Sequence, residues 1–322
     1  MRLPAAVVLS FALIAPAQML FAVSIDQFNQ FVVFGDSLSD TGNVSISSSG
    51  LLPGSNYAPG RFTNGTNTTP AVPPGGPQGL WIDQLSAASG IADPAPFLSG
   101  GTNYAVGLAT TGSNGLYDVG DQVNYYNVAH GFTASPSSLY FFWAGADDLV
   151  GGSNSGKTAA DNLFHHIQTL AGEGGKYFVW FNLPPLGATP RAKTNNAVAA
   201  LNAAASQFNA EWSVDVQTLE AAGVDVIPVD VNNLFAQIAA NPSFYGFDNI
   251  TDSARGLSSV NPDTYLFWDD LHPTTAGHSL IAQLVGRDIA AIPEPLNFAL
   301  VLVGLSGLLL FKGRLRTRGR PR

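Results

Sequence analysis

The stretch FVVFGDSLSDTGN, residues 31–43, decides the fold and directs attention to one serine. Its first four residues are β-branched or aromatic and are followed by Gly35, which predicts a short buried strand that ends in a turn. Ser37 then lies at the carboxyl end of a strand, where open α/β sheets carry their chemistry. The stretch makes Ser37 a candidate nucleophile, which needs a base, an orienting acid and oxyanion donors from elsewhere in the chain.

The rest of the chain alternates between predicted strands and helices. Strands are predicted at 102–107, 138–145, 176–184 and 224–230, and helices at 80–89, 119–131, 157–171, 195–222 and 274–291. Pro228 predicts that the strand at 224–230 lies at an edge of the sheet, because proline cannot donate a backbone hydrogen bond to a neighbouring strand. Residues 45–79 and 241–267 are predicted to be irregular. Such alternation is typical of one α/β domain with a mostly parallel sheet covered on both faces.

Composition and charge exclude several classes of function. The chain has 322 residues, of which 46% are hydrophobic and 11% are charged, as is typical of a folded globular protein. It has no cysteine, so it can form neither a disulfide nor a thiolate metal site. All 23 acidic residues but only seven of the 14 basic ones lie between Asp26 and Glu294, which gives that part a net charge of −16. This acidity argues against a nucleic-acid partner.

Both ends of the chain carry the pattern of a processing signal. Residues 1–22 combine an early basic residue, an apolar segment and small residues before two candidate cleavage points, after Ala17 or Ala22. This pattern is typical of a secretory signal peptide. Residues 293–322 consist of Pro-Glu-Pro, an apolar run over 296–311 and an arginine-rich tail. The apolar run is just long enough to cross a bilayer core, with the basic tail on the cytoplasmic side.

The tripartite C-terminal segment resembles the PEP-CTERM sorting signal of Gram-negative bacteria. The resemblance implies processing by signal peptidase and by an exosortase-type enzyme, with transient membrane anchoring through the 296–311 helix. It also implies export to the periplasm, the outer envelope or the extracellular matrix; a plain membrane anchor is the alternative. We therefore predict a signal peptide over 1–22, a folded domain over 23–292 and a sorting signal over 293–322.

A base and an acid for the serine occur together in FWDDLHPTTAGH, residues 267–278. Asp269 and His272 are three residues apart on a predicted loop before the last helix, so one segment can present both to a hydroxyl group. Asp270 is the adjacent alternative for the acid, and His278 is predicted to lie inside the helix. The competing interpretation is that an aspartate only caps the helix and that His272 is a surface residue.

Two other strand ends offer partners for an oxyanion. Gly107 ends the predicted strand TNYAVG, and a glycine lets a backbone N–H group approach a substrate closely. Asp147 lies in GADDL, directly after the predicted strand SLYFFWAG. Both residues are therefore expected at the same edge of the sheet as Ser37.

Taken in chain order, FGDSLSDTGN, NYAVG, GADDL and WDDLHPT resemble the four motif blocks of the GDSL or SGNH hydrolase family. GRFTNG (60–65) and FNLPPLGATP (181–190) are similar to its lipase and esterase branch. The resemblance spans almost the whole chain between its two ends. It implies a three-layer α/β/α sandwich around a mostly parallel, flavodoxin-like sheet.

For the site, the resemblance implies that Ser37 is the nucleophile, His272 the base and Asp269 the acid that orients the base. The N–H groups of Ser37 and Gly107 are the implied oxyanion donors. The expected function is a secreted esterase or lipase that cleaves carboxylic esters through an acyl-serine intermediate, without metal or cofactor. A lipid, a short-chain ester and an acylated polysaccharide all remain open as the substrate.

Asp147 departs from the family pattern, which has Gly-x-Asn-Asp in this block and uses the asparagine side chain as a third oxyanion donor. An ionised aspartate only accepts hydrogen bonds and repels a developing oxyanion. A carboxyl group whose pKa is raised by burial stays protonated and can donate instead. The alternative function that rests on this departure is a weakly active or inactive surface-associated binding protein that retains the hydrolase fold.

GGSNSGKT, residues 151–158, matches the pattern of a phosphate-binding P-loop. In a P-loop the glycines follow their strand directly, whereas ADDLVG intervenes here. The sequence therefore favours a flexible loop with Thr158 as a helix cap over a nucleotide site.

Overall fold

Four parallel strands form the centre of the structure, a computed structural model that describes residues 25–291. They are β1 (Gln30–Gly35), β2 (Ser138–Trp143), β3 (Tyr177–Phe181) and β4 (Asp225–Val229), hydrogen-bonded in that order. The edge position that Pro228 predicts for the last strand is confirmed, since β4 ends the sheet beyond β3. Because the strands are parallel, their carboxyl ends lie along one edge.

The segment 102–107, predicted to be a strand, is not a regular strand. It nevertheless runs alongside β1, on the side opposite β2. Val33 donates to the Thr102 carbonyl (3.1 Å) and accepts from the N–H of Tyr104 (2.7 Å), and the N–H of Val106 donates to the Gly35 carbonyl (3.1 Å). The spatial order therefore runs from this segment through β1, β2 and β3 to β4. This is the flavodoxin-like order that the sequence predicts.

Helices cover both faces of the sheet. They are α1 (Asn43–Ser47), α2 (Trp81–Ser89), α3 (Val119–His130), α4 (Ala146–Gly151), α5 (Gly156–Gly172), α6 (Pro190–Thr194), α7 (Val198–Ala221), α8 (Val231–Ala240) and α9 (Thr275–Ala290). Side chains from α3, α5 and α7 share one core with one face of the strands. On the other face, Trp81 of α2 packs against Phe141 and Phe181, with ring centroids 5.3 and 4.8 Å apart. The predicted three-layer α/β/α sandwich is confirmed.

Two other segments also differ from the sequence prediction. Residues 241–267, predicted to be irregular, contain a short parallel pair, β5 (Asn249–Ser253) and β6 (Tyr265–Phe267). At α5 the cap is Ser155 and not Thr158, because the Ser155 hydroxyl oxygen accepts the Thr158 N–H at 3.1 Å. A helix cap accepts from the N–H two or three residues later, so Thr158 supplies the donor.

GGSNSGKT does not have the surroundings of a P-loop. It runs from the end of α4 into α5, and α4 separates it from β2. Its Lys157 is paired with the carboxylates of Asp161 and Glu211. A lysine already neutralised by two carboxylates is poorly suited to bind a phosphate, so the structure gives the nucleotide alternative no support.

The predicted signal peptide (1–22) and sorting signal (293–322), with its membrane helix, lie outside the described residues and stay predictions. Within residues 25–291, no helix combines the length and the apolar character needed to cross a membrane.

Gly35 determines how β1 delivers the chain to the serine. Its φ is +157°, and a Cβ atom placed on it would lie 2.2 Å from the Trp143 carbonyl oxygen. The Gln122 side chain bonds both to the N–H of Gly35 (2.9 Å) and to its carbonyl (2.8 Å). Only glycine permits this approach of β1 to β2 directly before the turn.

Candidate active site

Ser37 lies in a tight turn directly after β1. The carbonyl of Asp36 accepts the N–H groups of Ser39 and Asp40, both at 3.1 Å, and its carboxyl oxygen accepts the N–H of Leu38 at 2.9 Å. These bonds place the buried serine hydroxyl at the edge of the sheet, where its Oγ is 2.7 Å from Nε2 of His272. Residues 37 and 272 are thus brought together as the sequence predicts.

His272 is held from several sides. Its Nδ1 is 2.7 Å from Oδ2 of Asp269, and its carbonyl accepts the N–H of Trp268 at 2.8 Å. The ring of Phe62 packs against the imidazole, with centroids 4.9 Å apart. Directly after this loop, the Thr274 hydroxyl caps α9 by accepting the N–H of Gly277 at 3.2 Å. The start of the helix therefore fixes where the histidine loop ends.

Asp269 shapes the same loop through its other oxygen. Oδ1 accepts the N–H groups of Leu271 (2.8 Å) and His272 (2.6 Å), as aspartate commonly does in turns. Burial raises the pKa of Asp269, but the adjacent His272 and the hydrogen bonds outweigh burial, so this pKa lies well below its usual value. The carboxylate is therefore ionised whenever His272 needs it as a partner.

The two neighbours considered as alternatives have other roles. Asp270 forms a two-point ion pair with Arg191, with N–O distances of 2.8 and 3.0 Å, on the exposed side of the loop. His278 is fully buried in α9, and neither of its ring nitrogens has a hydrogen-bond partner among residues 25–291. Burial lowers the pKa of His278 to about 3, so it remains neutral.

Tyr57 joins this group, although the sequence gives no sign of it. Its hydroxyl donates to Oδ2 of Asp269 at 2.7 Å, the same oxygen that faces the imidazole. Burial, and next the charge of Asp269, raise the pKa of Tyr57 well above its usual value. The phenol therefore stays protonated and remains a donor. It comes from the predicted irregular stretch 45–79, where neither periodicity nor a motif marks it.

Asp40 is a second residue that sequence reasoning missed. It is fully buried, and its carboxylate accepts four backbone N–H groups at 2.6–2.9 Å, from Gly42, Asn43, Val44 and Gly107. Burial raises the pKa of Asp40, and these bonds partly offset the rise. The aspartate thus ties the loop after Ser37 to the segment that ends at Gly107.

The position of Gly107 disagrees with the predicted role. Its N–H donates to Oδ2 of Asp40 at 2.8 Å and is not a free oxyanion donor. Gly107 also lines neither of the two cavities at Ser37, whereas the next residue, Leu108, lines the larger one. The physical reason is that a buried carboxylate needs donors, and the glycine N–H satisfies one of them.

The asparagines of the first two motif blocks hold these loops together. The Asn43 side chain donates to the carbonyls of Asn103 (2.7 Å) and Ala105 (2.9 Å), and the Asn103 side chain donates to the Ser39 carbonyl (2.7 Å). All four residues are buried. Their bonds join the loop after Ser37 to the segment after residue 101, in addition to the backbone bonds that this segment forms with β1.

Asp147 lies in the first turn of α4 and lines both cavities at Ser37. Burial raises its pKa to about 6, with the charge of Asp148 adding to the rise and that of His272 opposing it. Burial, and next the charge of Asp147, also raise the pKa of Asp36 well above its usual value. Asp148 points elsewhere, with its carboxylate bonded to Thr111 at 2.9 Å.

Two cavities of different character meet at Ser37 and His272. The narrow one has a volume of about 30 Å³, and its walls include Trp143, Leu186 and Phe235. The wide one has a volume of about 690 Å³ and is lined by mostly polar side chains. The wide cavity includes Asn56, Tyr57, Arg191, Ser253, Arg255 and Asp270. A reacting carbonyl at the serine is therefore flanked by an apolar space and a polar space.

One acidic cluster lies away from these cavities. Carboxylate oxygens of Asp161, Glu211 and Asp215, on α5 and α7, lie within 4.8 Å of one another. Lys157 already pairs with the first two of these residues. A local ammonium group therefore supplies positive charge to this cluster.

A buried Ser–His–Asp series at the carboxyl edge of a parallel α/β sheet has the arrangement of a serine hydrolase. Residues 31–285 match the model of the GDSL-like Lipase/Acylhydrolase family. The chain belongs to this family.

Two curated relatives differ in how much of their length this chain covers. The phosphatidylcholine-sterol acyltransferase of Aeromonas hydrophila is 25% identical over 311 residues, which cover 80% of this chain and 88% of the acyltransferase. Esterase EstA of Pseudomonas aeruginosa is 27% identical over 305 residues, which cover 80% of this chain and 46% of EstA. The chain therefore spans about half the length of EstA.

Among solved structures, the aryl esterase of M. smegmatis is 16% identical, with a TM-score of 0.45. The match covers 82% of this chain and 99% of the esterase.

Proposed function

We propose that this chain is an exported serine esterase that hydrolyses carboxylic esters through an acyl-Ser37 intermediate. The observation that carries the proposal is a pair of linked 2.7 Å contacts. One joins Oγ of Ser37 to Nε2 of His272, and the other joins Nδ1 of His272 to Oδ2 of Asp269. All three side chains are buried, so bulk water competes little for these contacts. The family supports the ester bond as the bond that is cleaved.

In the first step, the Ser37 oxygen bonds to the carbonyl carbon of the ester while Nε2 of His272 takes the hydroxyl proton. The carbonyl π electrons move onto the carbonyl oxygen, which becomes an oxyanion. Asp269 holds the imidazole by its Nδ1–H and stabilises the positive charge that the ring acquires. Its low pKa supports this role, because a carboxylate that remains charged stabilises an imidazolium best.

Backbone donors near the serine support the oxyanion. The N–H of Ser37 has no hydrogen-bond acceptor within residues 25–291, so it is available to a substrate. The N–H of Leu108 likewise has no acceptor in the described part of the chain, and Leu108 lines the wide cavity. We therefore assign the second donor to Leu108 instead of Gly107. Asp147 is the proposed third donor when its carboxyl group is protonated.

Collapse of the tetrahedral intermediate breaks the bond between the acyl carbon and the alcohol oxygen. His272 gives its proton to the departing alcohol, and the acyl group stays on Ser37. A water molecule then loses a proton to His272 and attacks the acyl carbon, which releases the acid and restores the serine. This route uses no metal or cofactor.

Export is part of the proposal and rests on the two ends of the sequence. The signal peptide pattern of residues 1–22 supports passage across the inner membrane. The PEP-CTERM resemblance of residues 293–322 supports transient anchoring and processing by an exosortase-type enzyme. A Gram-negative envelope or extracellular matrix is the proposed location. A lipid, a short-chain ester or an acylated polysaccharide is the proposed substrate class.

A fluorophosphonate probe tests the nucleophile directly. We expect the purified protein to be labelled, and Ser37→Ala to abolish labelling, because the probe reacts only with an activated hydroxyl group. Ser39→Ala is the matched control, since Ser39 lies two residues away and contacts neither His272 nor the cavities. Absence of labelling at both pH 5 and pH 8 would instead support a binding protein that retains the hydrolase fold.

Tyr57→Phe is expected to lower kcat/KM for 4-nitrophenyl acetate by about threefold to tenfold. The variant keeps the ring but removes one hydrogen bond to the ionised Asp269, which is worth roughly 1 kcal/mol or slightly more. Steady-state kinetics measure the change. Tyr245→Phe is the control, because it removes a hydroxyl bonded to Gln237 far from the serine. Equal kinetics for Tyr57→Phe and the unmodified protein would exclude a positioning role for this hydroxyl.

A further inference from the structure

We propose that the preferred substrate is a short-chain ester whose polar alcohol part carries a carboxylate, with the acyl group in the narrow cavity and the carboxylate at Arg255. This inference rests on the proposed function and specifies its substrate class. Two observations support it. The two cavities at Ser37 differ in volume and polarity, and Arg255 forms no ion pair within residues 25–291 although it lines the wide cavity.

The narrow cavity suits a short acyl group. Its volume of about 30 Å³ corresponds to roughly two water-sized spheres, which favours an acetyl or propionyl group over a fatty acyl chain. Phe235 and Leu186 limit it and are almost fully buried, with 6% and 3% of their surface exposed. Its mainly apolar walls offer few partners to hydroxyl groups, so a polar alcohol would lose hydrogen bonds there.

The wide cavity suits the alcohol. It has more than twenty times the volume of the narrow one and is lined by amide, hydroxyl, guanidinium and carboxylate groups. Three aspartates line it. Asp269 bonds to His272 and Tyr57, and Asp270 is paired with Arg191, so the charges of these two are largely satisfied within the protein. Asp147 lies beside Ser37 at the junction of the two cavities.

Arg255 is the exception among the arginines of residues 25–291. Arg61, Arg191 and Arg287 each contact a carboxylate within 4.0 Å, whereas Arg255 contacts none within the described chain. An unpaired guanidinium group in a strongly acidic protein is a local site of positive potential. Since Arg255 lines the wide cavity, that potential acts where the alcohol would lie.

The geometry keeps this guanidinium group in place. Its carbon lies 4.3 Å from the centroid of the Tyr57 ring, and one terminal nitrogen donates to the Ser55 carbonyl at 2.8 Å. The backbone N–H of Arg255 donates to the Trp268 carbonyl at 2.8 Å, next to the histidine loop. The remaining guanidinium donors have no acceptor within residues 25–291. A planar guanidinium with free N–H groups matches a carboxylate through two parallel hydrogen bonds.

The reaction is ordinary ester hydrolysis with this choice of groups. The bond between the acyl carbon and the alcohol oxygen breaks, the water oxygen joins the acyl carbon, and the alcohol oxygen receives a proton through His272. The carboxylate of the alcohol part takes no part in bond making. Its expected effect is therefore on substrate binding, and Arg255 acts as a specificity residue.

The test uses two sugar esters, a methyl glucuronoside and a methyl glucoside, that carry an acetyl group on the same hydroxyl and differ in the carboxylate. The rate of acetate release is measured for each. We expect kcat/KM to be about fivefold to tenfold higher for the glucuronoside, from one charge-assisted contact. In Arg255→Gln the ratio of the two kcat/KM values should fall to about one, because KM for the glucuronoside rises while kcat stays the same. Arg255→Lys should retain part of the preference. Arg287→Gln, a distant surface arginine, should leave the ratio unchanged.

Acyl preference is measured with 4-nitrophenyl acetate, butyrate and octanoate. We expect acetate to react fastest and Phe235→Ala or Leu186→Ala to shift the preference towards longer chains, because each widens the narrow cavity. An octanoate preference in the unmodified protein, or the same sugar ratio with and without Arg255, overturns the inference. If 4-nitrophenyl acetate is hydrolysed in that case, the proposed function stands. Absence of both hydrolysis and fluorophosphonate labelling would count against the proposed function itself.

Discussion

Replacing His272 with alanine is expected to lower kcat/KM for ester hydrolysis by roughly 10⁴- to 10⁶-fold, as much as Ser37→Ala does. The imidazole is the group in contact with the serine hydroxyl, at 2.7 Å, so without it the hydroxyl keeps its proton and attacks poorly. Steady-state kinetics with 4-nitrophenyl acetate measure the loss.

The double variant Ser37→Ala/His272→Ala tests whether the two residues act as one unit or contribute to the rate independently. If the two residues act as one unit, the double variant is no slower than either single variant, because each single change already removes the whole unit. His165→Ala is the control, since His165 is an exposed helical histidine away from the cavities. Retention of more than a few per cent of activity by His272→Ala would show that another group acts as the base.

Asp147→Asn is expected to raise ester turnover, and to raise it more as the pH increases. With a pKa of about 6, the Asp147 carboxyl group is mostly protonated at pH 5 but only about one tenth protonated at pH 7 and about one hundredth at pH 8. Only the protonated form can donate to an oxyanion, whereas asparagine donates at every pH. The ratio of variant to unmodified kcat/KM should therefore be near one at pH 5, about 10 at pH 7 and about 100 at pH 8. One oxyanion donor is worth a comparable factor, roughly 10²–10³.

The measurement is the pH dependence of kcat/KM for both proteins between pH 5 and pH 8.5. Taking the ratio removes any pH dependence that both proteins share. Asp248→Asn, at an exposed aspartate away from the cavities, is the matched control. A ratio that does not change with pH, or that stays below one, would remove Asp147 from the oxyanion site.

Most of the fold could be read from local patterns. The strands β1, β2 and β3 are continuous runs of aromatic and β-branched residues, because both faces of a parallel sheet are buried. The five predicted helices begin and end within a few residues of the observed ones, since amphipathic spacing and caps are local signals, whereas α1, α4, α6 and α8 were not predicted. The segment after residue 101 was the main exception. It bonds to β1 through its backbone without forming a regular strand, and the asparagine side chains that fix it to the loop after Ser37 give no local strand signal.

For the candidate site too, what could be predicted depends on how far apart the interacting residues lie in the chain. The sequence by itself determined Ser37 at a strand end and the Asp269–His272 pair three residues apart, because strand ends and turns are local features. Only the tertiary structure added Tyr57 and turned the N–H of Gly107 towards Asp40. Tyr57 meets Asp269 across 212 residues, and Gly107 meets Asp40 across 67. Such contacts depend on how loops pack against one another, and no periodicity along the chain encodes that packing.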